Sequence, residues 1–392
     1  MTVSPAHALT TFTPFAAVGV EYNTNVFAVP SYLPPFAANG NTALGSAIER
    51  YLIGATASFA WERDELRLSA QGERFEYNTF SEIDHYESKL DALFNYHLGP
   101  VVDGSLEYTQ ARYMAPFADI LTAQLELNTD KAATGIARIL ITPEWRLDLR
   151  PTWHELDTPL PDFPNFGLRE TVGEVALNYL GINRLAAGLM VQYGDGSYHD
   201  IVAATRYHQT TEQLTANYAV TGLSSFNGQV GFTQRNSSYV NPSEALGTGA
   251  NVAGLAVGRT TAFTGALGFH RELSVKTSVD LGVFREIDSY VAGANSEVAT
   301  GGTVKIKWDP DVKISVSLSF KYARDAIQGN LVTADFVDRT DRPMSGLMDL
   351  TWKARPWLTF RPYVEWDKRS SNYDLANYTA TIYGIELTAR WL

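Results

Sequence analysis

From Val312 to Tyr322 the chain alternates without a break: Val312, Ile314, Val316, Leu318, Phe320 and Tyr322 are apolar, and Lys313, Ser315, Ser317, Ser319 and Lys321 between them are polar. Side chains of a β-strand point alternately to opposite faces, so a period of two predicts a strand with one oily and one wet face. The pattern recurs almost everywhere. Tyr51, Ile53, Ala55, Ala57, Phe59 and Trp61 make one apolar face, and Tyr86, Leu90, Ala92, Phe94, Tyr96 and Leu98 another. Trp145, Leu147, Leu149, Pro151 and Trp153 alternate with Arg146, Asp148, Arg150, Thr152 and His154, and the chain closes on Tyr383, Ile385, Leu387, Ala389 and Trp391.

About eighteen such segments are expected, starting near residues 11, 48, 65, 84, 101, 129, 145, 168, 184, 204, 224, 259, 274, 298, 312, 343, 357 and 376. That allots about twenty-two residues to each strand and its connection, enough for tilted spanning strands of about ten. Short connections carry turn chemistry, as in Gly99-Pro100, Thr142-Pro143-Glu144, Gly181-Ile182-Asn183, Trp308-Asp309-Pro310-Asp311 and Arg355-Pro356. The long ones, near 23–47, 156–167, 236–258 and 325–342, are polar and rich in Gly, Pro or Asn.

Short and long connections around an even number of strands define an all-β, antiparallel up-and-down transmembrane barrel with both termini in the periplasm and long extracellular loops. The domain reading is a periplasmic tail at 1–10 and one barrel domain at 11–392. A soluble sandwich or propeller alternates too. Against it stand the absence of a fixed repeat period and the recurrence of Trp near expected strand ends, at Trp61, Trp145, Trp308, Trp352, Trp357, Trp366 and Trp391.

Composition narrows the function classes. Acidic residues outnumber basic ones 43 to 31, for a net charge of -12, which argues against a nucleic-acid partner. The chain has no cysteine, so thiolate chemistry and disulfides are excluded, as suits passage through an oxidising compartment. No run of roughly eighteen apolar residues predicts a spanning helix. The start, Met1 to Ala8, has no basic or apolar segment of a complete signal peptide; Ala6-His7-Ala8 reads as the remnant of an export signal or as an ordinary polar terminus.

Catalytic and metal signals are weak. His7, His85, His97, His154, His199, His208 and His270 are scattered with no pair at ligand spacing, so no metal and no cofactor are expected, and satisfied polar histidines outweigh catalytic ones. Gly194-Asp195-Gly196 belongs to a strand-to-loop edge and opens no helix, so it is no phosphate cradle, and Gly247-Thr248-Gly249 is expected in a long loop.

In a membrane barrel the polar face must line an aqueous interior. Parity puts Lys276, Lys305, Lys307, Lys313, Lys321, Lys353, Asp349, Arg361 and Glu365 there, with Glu386, Arg390, Arg146, Asp148 and Arg150. Lysines cluster between about 274 and 354 near short turns, which suggests a cationic strip at the periplasmic mouth attracting anionic solutes. The long Asn23–Ala47 connection carries Val26, Phe27, Val29, Tyr32, Leu33 and Phe36, apolar enough to fold over the external mouth; Val26, Phe27, Tyr32 and Phe36 are the expected constriction.

Three stretches carry a further signal: Tyr22-Asn23-Thr24-Asn25-Val26-Phe27 after the first strand; Lys307-Trp308-Asp309-Pro310 leading into Lys313-Ile314-Ser315; and Trp366, Arg369-Ser370-Ser371-Asn372-Tyr373 and Tyr378 to Trp391 at the close. They resemble the EpsL-like outer-membrane barrels of exopolysaccharide operons, within the wider group of β-barrel porins. The resemblance implies a passive bacterial outer-membrane conduit for a polysaccharide, surrounded by outer-membrane lipid and working with periplasmic and inner-membrane export components. It brings no catalytic residue, and a monomer is favoured. A diffusion porin for small solutes, an outer-membrane hydrolase and a sealed structural barrel stay open as alternatives.

Overall fold

A computed structural model describes residues 9–32, 42–120, 124–159, 167–182, 184–199, 206–238, 259–288, 294–330 and 339–391. Eighteen strands form one sheet in which every strand pairs antiparallel with its neighbours in sequence. The first strand, β1 (Leu9–Asn23), closes the ring against the last, β18 (Tyr378–Arg390), from Phe15↔Arg390 to Asn23↔Ile382. Closure satisfies the backbone groups that an open edge would expose to lipid.

The other strands are β2 (Ser46–Trp61), β3 (Asp64–Tyr77), β4 (His85–Leu98), β5 (Val102–Met114), β6 (Leu127–Thr142), β7 (Trp145–Asp157), β8 (Leu168–Ile182), β9 (Leu185–Tyr198), β10 (Arg206–Thr221), β11 (Ser224–Ser238), β12 (Arg259–Ser274), β13 (Thr277–Asp288), β14 (Ala294–Asp311), β15 (Ile314–Asn330), β16 (Arg339–Arg355) and β17 (Leu358–Ser371). One short helix, α1 (Phe117–Ile120), follows β5.

The turns at one end are tight. Glu62, Arg184 and Gly99 there take the left-handed conformation, with φ of 55°, 67° and 69°, which matches the twist of the flanking strands. At the other end the connections are longer, which makes it the external side.

Several boundaries differ from the sequence expectation. Strands run from 12 to 18 residues, longer than spanning requires, because they continue beyond the lipid at the long-loop end. The expected 325–342 loop shrinks accordingly: Asp325–Asn330 belong to β15 and Arg339–Arg342 to β16. Charged residues there hid the strands from a search for apolar alternation. Leu9 already pairs with Ala60, so β1 begins inside the expected tail. Val312 and Lys313 form the β14–β15 turn, and the opening alternation therefore starts as a strand only at Ile314.

The outer face carries exposed Val18, Val20, Ile53, Leu189, Val191, Phe232, Leu267, Val283, Leu318, Val364 and Ile385. Trp145, Trp308, Trp352, Trp357 and Trp391 stand exposed at the short-turn end, and Tyr22, Tyr51, Tyr86, Tyr193 and Tyr383 toward the other. Tyr383 and Trp391 are eight positions apart, about 26 Å of strand or roughly 20 Å of height at a 40° tilt, close to the thickness of an apolar band. Trp366 lies in the middle of β17 opposite Gly346 and Thr381, so it is no part of a girdle.

Candidate functional site

One contact identifies the face that encloses the lumen. Arg369 on β17 donates from Nη1 to the carbonyl oxygen of Ala118 in α1. Five strands, β18, β1, β2, β3 and β4, stand between β17 and β5. Around the wall that is at least roughly 29 Å, whereas the four residues from Met114 to Ala118 span at most about 14 Å. The α1 segment therefore turns inward and bridges the interior, and the face of Arg369 is the inner one.

Directly paired residues share a face, so the inner face also carries Asp367, Glu365, Tyr363 and Arg361 on β17, Glu386 on β18, Glu21 on β1, Arg50 on β2 and Glu73 on β3. These make a continuous network. Arg50 engages Glu73 at 2.7 Å and Glu21 at 3.3 Å. Tyr363 donates its hydroxyl to Glu21 and lies 3.4 Å from Arg50 Nη1. The tyrosine reaches across β18 because Gly384 stands between: a Cβ there would meet the Tyr363 ring at 2.7 Å and Glu21 Cβ at 2.9 Å. Arg361 lies 3.5 Å from Asp349 and opposite Glu386.

A second paired wall runs over β5–β8. Arg138 meets Asp103 at 2.9 Å, Arg146 meets Asp148 at 2.7 Å, Asn178 donates to Asp148 at 2.9 Å and Arg150 lies 3.6 Å from Glu174. His154 sits 3.2 Å from Asp130 in the same wall. Along β10–β12 the inner face is mostly neutral. Thr211, Thr233 and Thr264 form a hydroxyl chain with spacings of 3.0 and 2.9 Å, joined by Gln213.

Lys305 and Lys307 lie on β14 and Lys321 on β15. Lys305 stands opposite Asp280 and Ser319, Lys307 Nζ lies 2.9 Å from Asp309, and Lys321 Nζ sits 5.6 Å from the centre of the Phe284 ring. Lys313 is a turn residue, so strand parity does not give it an inner face; its carbonyl accepts from Lys353 N. Lys276, read on the same parity, is also in a turn and donates to Pro310 O. Lys353 pairs with Thr359 beside a bulge, and Arg390 with Phe15, both at the short-turn end.

At the external mouth Val26 and Phe27 are buried against Ile48, Tyr77, Phe80, Ile83 and Phe117. The Phe27 ring meets Phe80 and Phe117 edge-on at 4.7 and 4.9 Å. Tyr32 stays exposed, its hydroxyl 3.4 Å from Asp374 O. Phe36 lies outside the described residues, as do 1–8 and 239–258. The α1 segment does not stand out in the sequence, and its anchor Arg369 does so only within the closing Arg369-Ser370-Ser371-Asn372-Tyr373 motif, with no contact assigned to it. The available signal was Pro116-Phe117, an apolar step just past a strand end.

A closed barrel with a lipid-facing apolar belt and a charged interior belongs to the class of bacterial outer-membrane β-barrels. A scan against protein-family models and a search of curated proteins find no match. Among solved structures the chain is similar to OpdK of Pseudomonas aeruginosa crystallised with vanillate (10% identity, 97% of this chain and 99% of that one, TM-score 0.47). It is also similar to Pseudomonas aeruginosa OprD (9%, 100% and 98%, TM-score 0.46) and Acinetobacter baumannii OccAB3 (7%, 97% and 98%, TM-score 0.48). At these values the fold assignment rests on the chain's own strand pairings.

Proposed function

We propose that this barrel is a passive outer-membrane channel for small hydrophilic solutes. The observation that carries the reading is the inward α1 segment, tied to Arg369 across the interior and packed through Phe117 against Phe27 and Phe80. An eighteen-stranded barrel leaves an aqueous lumen, and this contact subdivides its external end. Small solutes can pass beside such a bridge, whereas a hydrated polymer thread needs an unobstructed bore. The exopolysaccharide reading, with its export partners, therefore has less support than diffusion. Charged walls of both signs, mostly paired, suit solutes that exchange hydrogen bonds with water for hydrogen bonds with protein at little net cost.

Purified protein in liposomes should admit small sugars and amino acids at rates that fall steeply with size, measured by osmotic swelling. Reconstituted channels should show no saturable block by long acidic or neutral polysaccharides. Slow swelling with every small solute, combined with block by a polymer, would reverse the ranking.

A further inference from the structure

The outer face of β12–β17 carries a row of cations with no acid beside it among the described residues. Arg285 pairs with Thr300, and Thr300 with Arg324. The pairs Tyr322↔Met344 and Asp325↔Asp341 put Arg324 level with Arg342, while Lys368 pairs with Met344 one step below. All four cations are exposed and share the outward face with Val283, Val304, Phe320, Tyr322, Met348 and Val364. Among the described residues of β12–β17, every Asp and Glu within the strands falls on the inner parity. Among the described residues Arg285 bonds only to neutral groups, Phe263 O at 3.1 Å and Thr300 Oγ1 at 2.8 Å.

Position and charge together call for an anionic partner. Arg324 is the next outward residue beyond Tyr322 toward the external end, just past the apolar belt, where a cation costs about 0–1 kcal/mol instead of the roughly 2–4 kcal/mol of the midplane. Like charges level with each other on one sheet face repel. With strands about 4.8 Å apart, four cations fall within roughly 20 Å of the circumference, more than one lipid phosphate can neutralise. We infer that this face binds the headgroup of an outer-leaflet glycolipid carrying two phosphates, as a bis-phosphorylated glucosamine disaccharide does, through charge-assisted hydrogen bonds from Arg285, Arg324, Arg342 and Lys368. The site is independent of which solute crosses the lumen, because none of the four side chains faces it.

The test compares wild type with the Arg285→Gln, Arg324→Gln, Arg342→Gln, Lys368→Gln variant in detergent. Bis-phosphorylated lipid A, its mono-phosphorylated form, phosphatidylglycerol and inorganic phosphate are titrated separately and read by native mass spectrometry. Wild type should bind the bis-phosphorylated lipid at least about tenfold tighter than the other three probes, the equivalent of one charge-assisted contact, and the variant should lose that margin. The single Arg342→Gln should lose part of it and Arg342→Lys should restore most. Heat-modifiable gel mobility shows that each variant is folded, and unchanged single-channel conductance separates this site from the lumen. Equal binding by the folded variants, equal affinity for phosphatidylglycerol or free phosphate, or self-association in place of lipid binding would each overturn the inference.

Discussion

Arg369 on β17 and Ala118 in α1 are 251 positions apart in the chain and joined by a hydrogen bond across the barrel interior. The arginine is held from several sides. Its guanidinium carbon lies 5.6 Å from the centre of the Tyr378 ring, and its Nε lies 3.8 Å from Asp341, which Arg339 engages at 2.6 Å. A rigid wall thus presents a fixed donor to a short inward segment that has little secondary structure of its own.

Arg369→Ala should therefore release the α1 segment and raise single-channel conductance, with larger current fluctuations as the segment moves. Arg369→Lys, which keeps the charge without the planar fork, should give an intermediate trace. Conductance identical to wild type in the folded Ala variant would show that the bridge does not restrict the conducting path.

The aromatic cluster at the mouth gives a stability prediction. Phe117→Ala removes a buried ring from between its neighbours, and large-to-small changes of this kind cost about 3 kcal/mol or more. The loss should appear as earlier unfolding of the external loops in urea, followed by limited proteolysis between residues 115 and 126, while the strands stay intact. Wild-type protease resistance would mean that the cluster contributes little to holding the segment.

Arg50 is the single cation between Glu21 and Glu73. Arg50→Ala leaves two carboxylates facing each other across β2; breaking a fully buried pair costs about 3–5 kcal/mol, and the partial access to water here reduces the expected loss to about 1–3 kcal/mol. Cation selectivity, read as reversal potential under a salt gradient, should rise at low salt. Arg50→Lys should recover the selectivity more fully than the stability.

Much of the wall was legible in the sequence because a period of two is a local property. Each side chain's face follows from its neighbours, and for Ile314 to Tyr322 alternation and register agree residue by residue. What failed were the places where the period stops: Lys313 and Lys276 sit in tight turns, where parity carries no meaning. The mouth was less legible still. Val26 and Phe27 stood out as apolar residues in a polar loop, but their partners Phe80 and Phe117 come from two other loops. Arg369 is one more charge on a strand until β17 and α1 are brought together, and no spacing within the chain signals a contact of that sequence separation.

The lysine strip remains a proposal about the conducting path. Lys305 and Lys307 lie on the face opposite exposed Val304 and Trp308, near the short-turn end. Lys305→Glu with Lys307→Glu should shift the reversal potential toward cations, and the shift should shrink as salt screens it. The existing pair of Lys307 with Asp309 should make the Lys307 change the smaller of the two when each is made alone. No shift at low salt would remove these side chains from the path.

The last prediction concerns Glu126, which closes the base of the α1 loop: its carbonyl accepts from Ala115 N at 2.9 Å. The residue is 3% exposed, and its Oε2 is buried with no hydrogen-bond partner. Burial alone pushes the carboxyl above its ordinary value of 4.5. In the detached loop the group would titrate normally. Below the ordinary value it is protonated in both states and exerts no bias. As pH rises past it, the detached state ionises first and is thereby stabilised, so docking weakens until the docked group ionises as well, and stays weaker above that. Amide exchange at Ala115, corrected for its intrinsic pH dependence, should show less protection at pH 7 than at pH 4. Glu126→Gln, which cannot ionise, should hold its protection constant over the same range. A parallel loss of protection in the Gln variant would place the pH response in other carboxylates and leave Glu126 as a buried spacer.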